Sequence, residues 1–343
     1  MVSLSIILPV FNVEKYIHTC IESIYNQGMN DKCFEVFIVN DGTKDNSIGV
    51  IQNIISQHQN ITVLEQENQG SWVARNTGMS IASGEYILFL DPDDFLIDNS
   101  LIPLLDKALE TKADILLADY LTLNDEEIER SKDTPFMQEP FTIKEKTGEQ
   151  LFLEDLNPHH CYIWRSLFRK DYLLGNNLTF NTEFYYQDVP FLHECYIKAK
   201  RCLRVSWLLT IYRIGHESAT FSFNIKKAKS FCIAIAKTWE LTHDERLSKK
   251  ALQRLQNDVF VSFKVLNCTV SHSFEKSNER YEIIDYLHHN APTLCFKNGI
   301  KQRITTFLYR NTPHIYIQLR YLYGIVAEDV ILPYCHHLIR RLK

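Results

Sequence analysis

Among the nine cysteines there is no CxxC pair and no even framework of spacings. That excludes a secreted disulfide scaffold and fits reduced thiols in a cytoplasmic protein. No apolar stretch reaches the roughly 18 residues a spanning helix needs. The longest hydrophobic region, near Ile315 to Tyr334, is broken by Arg320, Glu328 and Asp329. The opening MVSLSIILPVFN has neither a basic n-region nor a small-residue cleavage site, so a signal peptide is not expected. Positive charge is not in excess: 37 Lys and Arg face 42 Asp and Glu, a net −5, which argues against a general nucleic-acid binder. Glycine is missing from PVFNVE after the first hydrophobic run, where a nicotinamide-dependent oxidoreductase would carry G-x-G-x-x-G. There is no internal repeat and no low-complexity segment.

What is present has the composition of an ordinary globular protein, 45% apolar and 23% charged. Its 343 residues exceed what one hydrophobic core usually serves, so two domains, or one with a large appendage, are expected. Leu4 to Val10 reads as a buried parallel strand. Asn12 is placed to cap a following helix, in which Ile17, Cys20, Ile21, Ile24 and Tyr25 recur at helical spacing and which Gly28 ends. Phe34 to Val39 and Ile61 to Leu64 are further strands. Between them Asp45 or Ser47 starts a second helix carrying Ile48, Ile51, Ile54 and Ile55. GSWVARNTGMSIASG reads as a loop and a short helix, Tyr86 to Leu90 as a fourth strand, Leu101 to Leu109 as a helix, and ADILLADY as another strand. Strands alternating with amphipathic helices over the first 120 or so residues make an α/β domain with a mainly parallel sheet. In such sheets ligands bind outside the carboxyl ends of the strands. Asn124 to Lys146 is polar and reads as a loop or boundary. An aromatic-rich stretch follows, with Trp164, Phe168, Phe180, Phe184, Tyr185, Tyr186, Phe191, Trp207 and Tyr212; from Asn224 onward the pattern is helical.

The fourth strand runs into Asp91, Asp93 and Asp94. Like charges raise one another's pKa and destabilise a fold unless a cation relieves them. Mg²⁺ and Mn²⁺ take oxygen ligands and keep positions open for water and substrate phosphates, so DPDD reads as half of a metal site. A solvated acidic turn with an Asp helix cap is the alternative reading of the same residues.

PVFNVE after strand one, VNDGT after strand two, GSWVARNTG, and the strand ending in DPDD stand in order within the first 95 residues. This ordered set resembles the inverting family 2 glycosyltransferases of bacterial cell-surface polysaccharide type. The resemblance implies a GT-A nucleotide-diphospho-sugar transferase fold, a Rossmann-like mixed α/β sheet flanked by helices. It implies a GT-A domain over 1–223, its nucleotide-sugar-binding half at 1–123 and its acceptor-binding half at 124–223, with a mainly helical appendage at 224–343. Carried over residue by residue, it implies that Asp41 hydrogen-bonds the nucleotide base and that Pro9, Phe11 and Glu14 wall the pocket. Arg75 would neutralise the diphosphate, and Asp91 and Asp93 would bracket the ribose and the metal. Asp94 is the alternative ligand, and His216, in IYRIGHESAT, could reach the metal or the diphosphate. Pro92 stands where the family often has Ser.

Downstream, YIWRSLFRKDYLLGNNLTFNTEFYYQDVPF resembles the family's acceptor-side segment, with Asp188 on the catalytic base and Gln187 in place of the usual Glu. The implied activity is an inverting hexosyltransferase, metal-assisted by Mg²⁺ or Mn²⁺. It would move a sugar from a nucleotide-sugar donor, a UDP-sugar by family habit, to a hydroxyl of a glycan or lipid-linked acceptor. A catalytically inactive module scaffolding a membrane-associated glycan assembly is the non-enzyme reading. An aspartate-nucleophile phosphatase would place its D-x-D after the first strand, not the fourth.

From Lys297 to Lys343 eight Lys and Arg face two acids, leaving −11 for the remainder. This basic, aromatic-rich region, with Tyr309, Tyr316, Tyr321, Tyr323, Arg320, Arg340 and Arg341, is expected to contact an anionic membrane on its cytoplasmic face, or a second subunit in a homo-oligomer. A helical appendage with a solvated basic face is the alternative. Cys335 to His337 reads as packing, not zinc ligation.

Overall fold

Every residue of β1 (Leu4–Val10) is buried, as a strand covered on both faces requires. The computed structural model describes residues 2–131, 136, 138, 141–157, 161–180, 185–215 and 223–326, with side chains to 322. In α1 (Ile17–Tyr25) the buried residues Ile17, Cys20, Ile21 and Ile24 recur every three or four positions and face the sheet. Then come β2 (Phe34–Asn40), α2 (Gln52–Gln57), β3 (Ile61–Glu65), α3 (Ser71–Ile81), β4 (Tyr86–Phe89), β5 (Phe95–Leu96) and α4 (Leu101–Thr111). β6 (Ile115–Asn124), α5 (Asp125–Ser131), β7 (Thr142–Lys146), α6 (Gly148–Glu154), β8 (Ser166–Arg169), α7 (Lys170–Gly175), α8 (Asp188–Lys198) and β9 (Cys202–Ile214) follow.

The strands form one sheet in the order β3-β2-β1-β4-β8-β6-β9-β5, with β7 on β9. β3, β2, β1 and β4 are parallel, and β8 enters antiparallel between β4 and β6. The chain winds outward from β1 to β3, then returns to lay β4 on the other side of β1. The switch point therefore lies between β1 and β4, and the carboxyl ends of β1, β2 and β4 share one edge. Gly78 brings α3 close to the sheet: a Cβ there would lie 2.5 Å from Ile7 Cγ2.

The chain divides into two compact units, 1–182 with 191–216, and 183–190 with 217–343. The described part of the second holds α9 (Ile225–Glu240), α10 (Lys249–Ser273), α11 (Ser277–Asn290), α12 (Ile300–Asn311) and α13 (Pro313–Val326). Asn224 and Ser248 cap α9 and α10 by accepting from Lys227 N at 3.0 Å and Ala251 N at 3.1 Å. The core of this unit is built around Phe263, whose ring meets those of Phe296, Tyr309 and Tyr316. No helix among the described residues is long and apolar enough to cross a membrane.

Several local expectations are corrected. Asn12 caps nothing: at φ 53° it turns the chain, and its side-chain oxygen accepts from Lys44 N at 3.1 Å. Asp45 and Ser47 do not start the second helix, which is preceded by a short 3₁₀ turn at Gly49–Ile51; they bond to each other and to the turn after β1. The polar stretch read as a loop contains α5 and β7. Tyr309 and Tyr316 lie in the helical core, not on the surface. The side chains of Tyr323, Arg340 and Arg341, and Cys335 to His337, lie outside the described residues.

Candidate active site

Two turns meet at the carboxyl edge of the sheet. Pro9 is tolerated in a central strand because the ladder with β4 ends at Ile7 opposite Phe89, so its missing N–H removes no bond to that neighbour. Phe11 follows, 40% exposed. The turn then laces onto the turn after β2. Asn12 N donates to Thr43 Oγ1 at 2.8 Å, Val13 N to Ser47 Oγ at 3.0 Å and Glu14 N to Asp45 Oδ2 at 2.9 Å. The Glu14 carboxylate accepts in return from Asn46 N at 3.0 Å. Burial acts to raise the Asp45 carboxyl, but hydrogen bonds from Ser47, Thr43 and Glu14 outweigh it and hold the group below the usual carboxylate range.

Asp41, 2% exposed, directly follows β2. Its Oδ1 accepts from Gln66 Nε2 at 2.7 Å and Gln69 N at 2.8 Å, and its Oδ2 from Gly70 N at 2.8 Å. One acid thus folds the 66–70 loop and sets the start of α3. Gly70 is required there: at φ 99° a Cβ would lie 2.3 Å from the Trp72 ring. Of about four lone-pair sites on a carboxylate, three are used.

On α3, Arg75 is 5% exposed and donates from Nη2 to Asp91 Oδ1 at 2.6 Å, with its guanidinium 5.5 Å from the centre of the Phe180 ring. Asn76 clamps the same residue, donating to Phe180 O at 2.7 Å and accepting from Phe180 N at 3.0 Å. The ARN helix thereby joins the acidic turn to the NNLTF segment.

The turn itself is built by Asp94 N donating to Asp91 O at 3.0 Å. Pro92 occupies its second position, where a fixed φ suits a β-turn. Asp94, 2% exposed, accepts from Arg213 N at 2.9 Å, and Arg213 Nε donates to the Asp93 carbonyl at 3.1 Å. Arg213 also pairs with Asp125 and stacks over Tyr16 and Phe95. Burial pushes Asp94 well above the usual carboxylate range, and Asp93 and Asp91 push it further. Burial likewise raises Asp91, against the pull of Arg75. Beneath the turn, the buried Cys20 thiol is forced up by burial and by the same three acids. The field at this end of β4 is negative and only partly compensated.

Among the described residues no three His, Cys, Asp or Glu side chains converge as a complete metal cage. The acidic turn offers hard oxygen donors beside Arg75 and Arg213. That suits a divalent cation which takes its remaining ligands from substrate and water.

The structure thus brings Pro9, Phe11, Glu14, Asp41, Arg75, Asp91, Asp93 and Asp94 to one edge of the first unit. Arg75 and the acid turn are in direct contact; Asp41 and Glu14 hold the two neighbouring turns. Asp188 is counted in the second unit, in the first turn of α8, where a carboxylate complements the helix dipole. His216 and Phe184 lie outside the described residues. Of the aromatic stretch, Trp164, Phe168, Phe180 and Phe191 are core, whereas Tyr162 and Tyr212, stacked on Trp164, are partly exposed. The YR of IYRIGHESAT resembles a family segment that closes the site, but Arg213 had no role of its own in the sequence reading. That reading also missed Gln66 and the backbone of Gln69, which carry no local motif.

A parallel-centred α/β sheet whose carboxyl edge gathers acids around a buried arginine defines a ligand-binding α/β protein. The model of glycosyl transferase family 2 matches residues 5–174 of the chain. It is 31% identical over 218 residues to the uncharacterized glycosyltransferase EpsJ of Bacillus subtilis, covering 63% of this chain and 62% of that protein. It is 27% identical over 219 residues to the uncharacterized glycosyltransferase YibD of Escherichia coli, covering 63% of each. The matches thus span less than two thirds of those relatives. Its fold is that of S. aureus TarS 1–349, solved in complex with UDP-GlcNAc: TM-score 0.71 and 18% identity over 94% of this chain and 92% of that one. The GT-A fold implied by the sequence resemblance is the fold observed.

Proposed function

We propose that this chain is an inverting glycosyltransferase that moves a sugar from a UDP-sugar to a hydroxyl of a glycan or lipid-linked acceptor. The observation that carries the reading is the turn closing β4, where three aspartates and the buried Arg75 meet at the switch point of the sheet. The UDP-GlcNAc complex of TarS supports the choice of donor.

The base of the donor rests against Phe11 and Pro9 and donates its ring N–H to the remaining lone pair of Asp41. Asp91 and Asp93 bracket the ribose. Asp93 and Asp94, with His216, would hold Mg²⁺ or Mn²⁺, which offsets negative charge on the diphosphate. Arg75 adds a fixed positive charge near the leaving group, effective because it is buried and needs no reorganisation. As the anomeric C–O bond lengthens, the sugar gains oxocarbenium character. The acceptor hydroxyl attacks from the opposite face and gives its proton to Asp188. One base and one displacement invert the anomeric carbon, and no nucleophilic Cys or Ser is required. The eight described cysteines are all free thiols, which supports a reducing, cytoplasmic setting.

The test is transfer by Asp188→Asn. Loss of a general base lowers the rate roughly 10²–10⁴-fold, with UDP-sugar affinity unchanged by calorimetry. Undiminished transfer removes Asp188 as the base.

A further inference from the structure

The described chain exposes nine large hydrophobic side chains beyond the ordinary, and six of them lie on α12 and α13. On α12 they are Ile300 (78% exposed), Ile304 (54%) and Phe307 (63%); on α13 they are Ile315, Leu319 and Leu322. Both sets have the spacing i, i+4, i+7, which places each on one face of its helix. On α12 the opposite face carries Thr306 and Tyr309, which are buried in the helical core. The apolar stripe is therefore not a misread core face. Lys301 flanks it on one side and Arg303 and Arg310 on the other. From 297 to 326 the sequence has five Lys and Arg and no Asp or Glu.

Beside the stripe is a groove of about 670 Å³ whose lining includes His288, Phe296, Lys297, Arg303, Phe307 and Arg310. Among the described residues that line it are three cations and no acid. Arg303, Phe307 and Arg310 belong to both the groove and the flank of the stripe.

We propose that α12 and α13 dock on an anionic lipid bilayer. Ile300, Ile304, Phe307, Ile315, Leu319 and Leu322 enter the headgroup–acyl boundary, and Lys297, Arg303 and Arg310 receive a headgroup phosphate in the groove. An apolar face rimmed by cations with long alkyl stems is the pattern that lies in a membrane interface. Charge selects this occupant over a second copy of the chain. A two-fold dimer through this face would set the same cations against one another, whereas an anionic surface complements them. The docking is independent of the donor site, which belongs to the other unit.

The experiment is flotation of the full chain with phosphatidylcholine vesicles, with and without phosphatidylglycerol, alongside light scattering. The protein is expected to float with the anionic vesicles and to be released by salt. Inorganic phosphate at matched ionic strength should not displace it, since the bilayer supplies the apolar contacts. Each cation near an anionic surface is worth about fivefold in affinity, so Arg303→Glu with Arg310→Glu should lose roughly 30-fold or more. Ile304→Asp with Phe307→Asp should abolish flotation. Both pairs alter exposed side chains, and each variant is checked for unchanged thermal unfolding and UDP-sugar affinity. The proposal is overturned if the folded wild type does not float, if both variants float equally well, or if the wild type is a dimer that both variants dissociate and does not bind vesicles.

Discussion

The acids that follow β2 and β4 occupy opposite electrostatic circumstances on the same edge of the sheet. Asp41 accepts from two backbone amides and a glutamine, and its charge is spent organising the 66–70 loop. Asp91, Asp93 and Asp94 sit within four positions; Asp91 pairs with Arg75 and Asp94 feels both the backbone amide and the charge of Arg213, yet burial and mutual repulsion hold both above the usual carboxylate range. A carboxylate satisfied by fixed donors builds structure. Crowded acids raised by burial and by one another cost the empty fold something, and a cation with the diphosphate it accompanies would relieve them.

Substitutions can sharpen or break this contrast. The largest effect on stability is expected from Asp41→Ala. It leaves the amides of Gln69 and Gly70 and the side chain of Gln66 without their acceptor, each worth roughly 1–3 kcal/mol when buried. A loss of about 3–4 kcal/mol in chemical denaturation follows, and a near-neutral result would mean that the loop is held by something else. Arg75→Met comes next. It strands Asp91, and because Asp91 is partly exposed the cost is about 2–3 kcal/mol, below that of a fully buried pair. The smallest effect has the opposite sign. Asp94→Asn keeps an oxygen for Arg213 N but removes one of three like charges. In metal-free buffer it should be neutral or stabilising by up to about 1 kcal/mol. A clear destabilisation there would erase the distinction between the two strand ends.

The same contrast explains what could be read without coordinates. β1, β2, β3 and β4, and the helices α1 and α4, follow from apolar runs and 3.6-residue spacing, because their burial is set by local pattern. The acidic turn was legible because three aspartates after a hydrophobic strand have few structural uses. What escaped depends on distant partners. Asn12 has the look of a cap, but its oxygen is claimed by Lys44 N, 32 positions away. β7 (TIKEK) is polar on an edge and reads as a loop, although it pairs with β9. β8 is four residues inside an aromatic stretch, too short for periodicity to reveal. Arg213 governs the acidic turn from 119 and 120 positions downstream, and only the sheet brings it there.

The central claim is that the acids closing β4 bind a divalent cation together with the diphosphate of a sugar nucleotide. Calorimetry of UDP-sugar binding with and without Mn²⁺ tests it directly, on the wild type and on Asp93→Asn combined with Asp94→Asn. The account predicts that Mn²⁺ strengthens binding by the wild type and loses that effect in the double variant. Equal affinity with and without Mn²⁺ and Mg²⁺ in the folded wild type, or an undiminished cation effect in the variant, would contradict it.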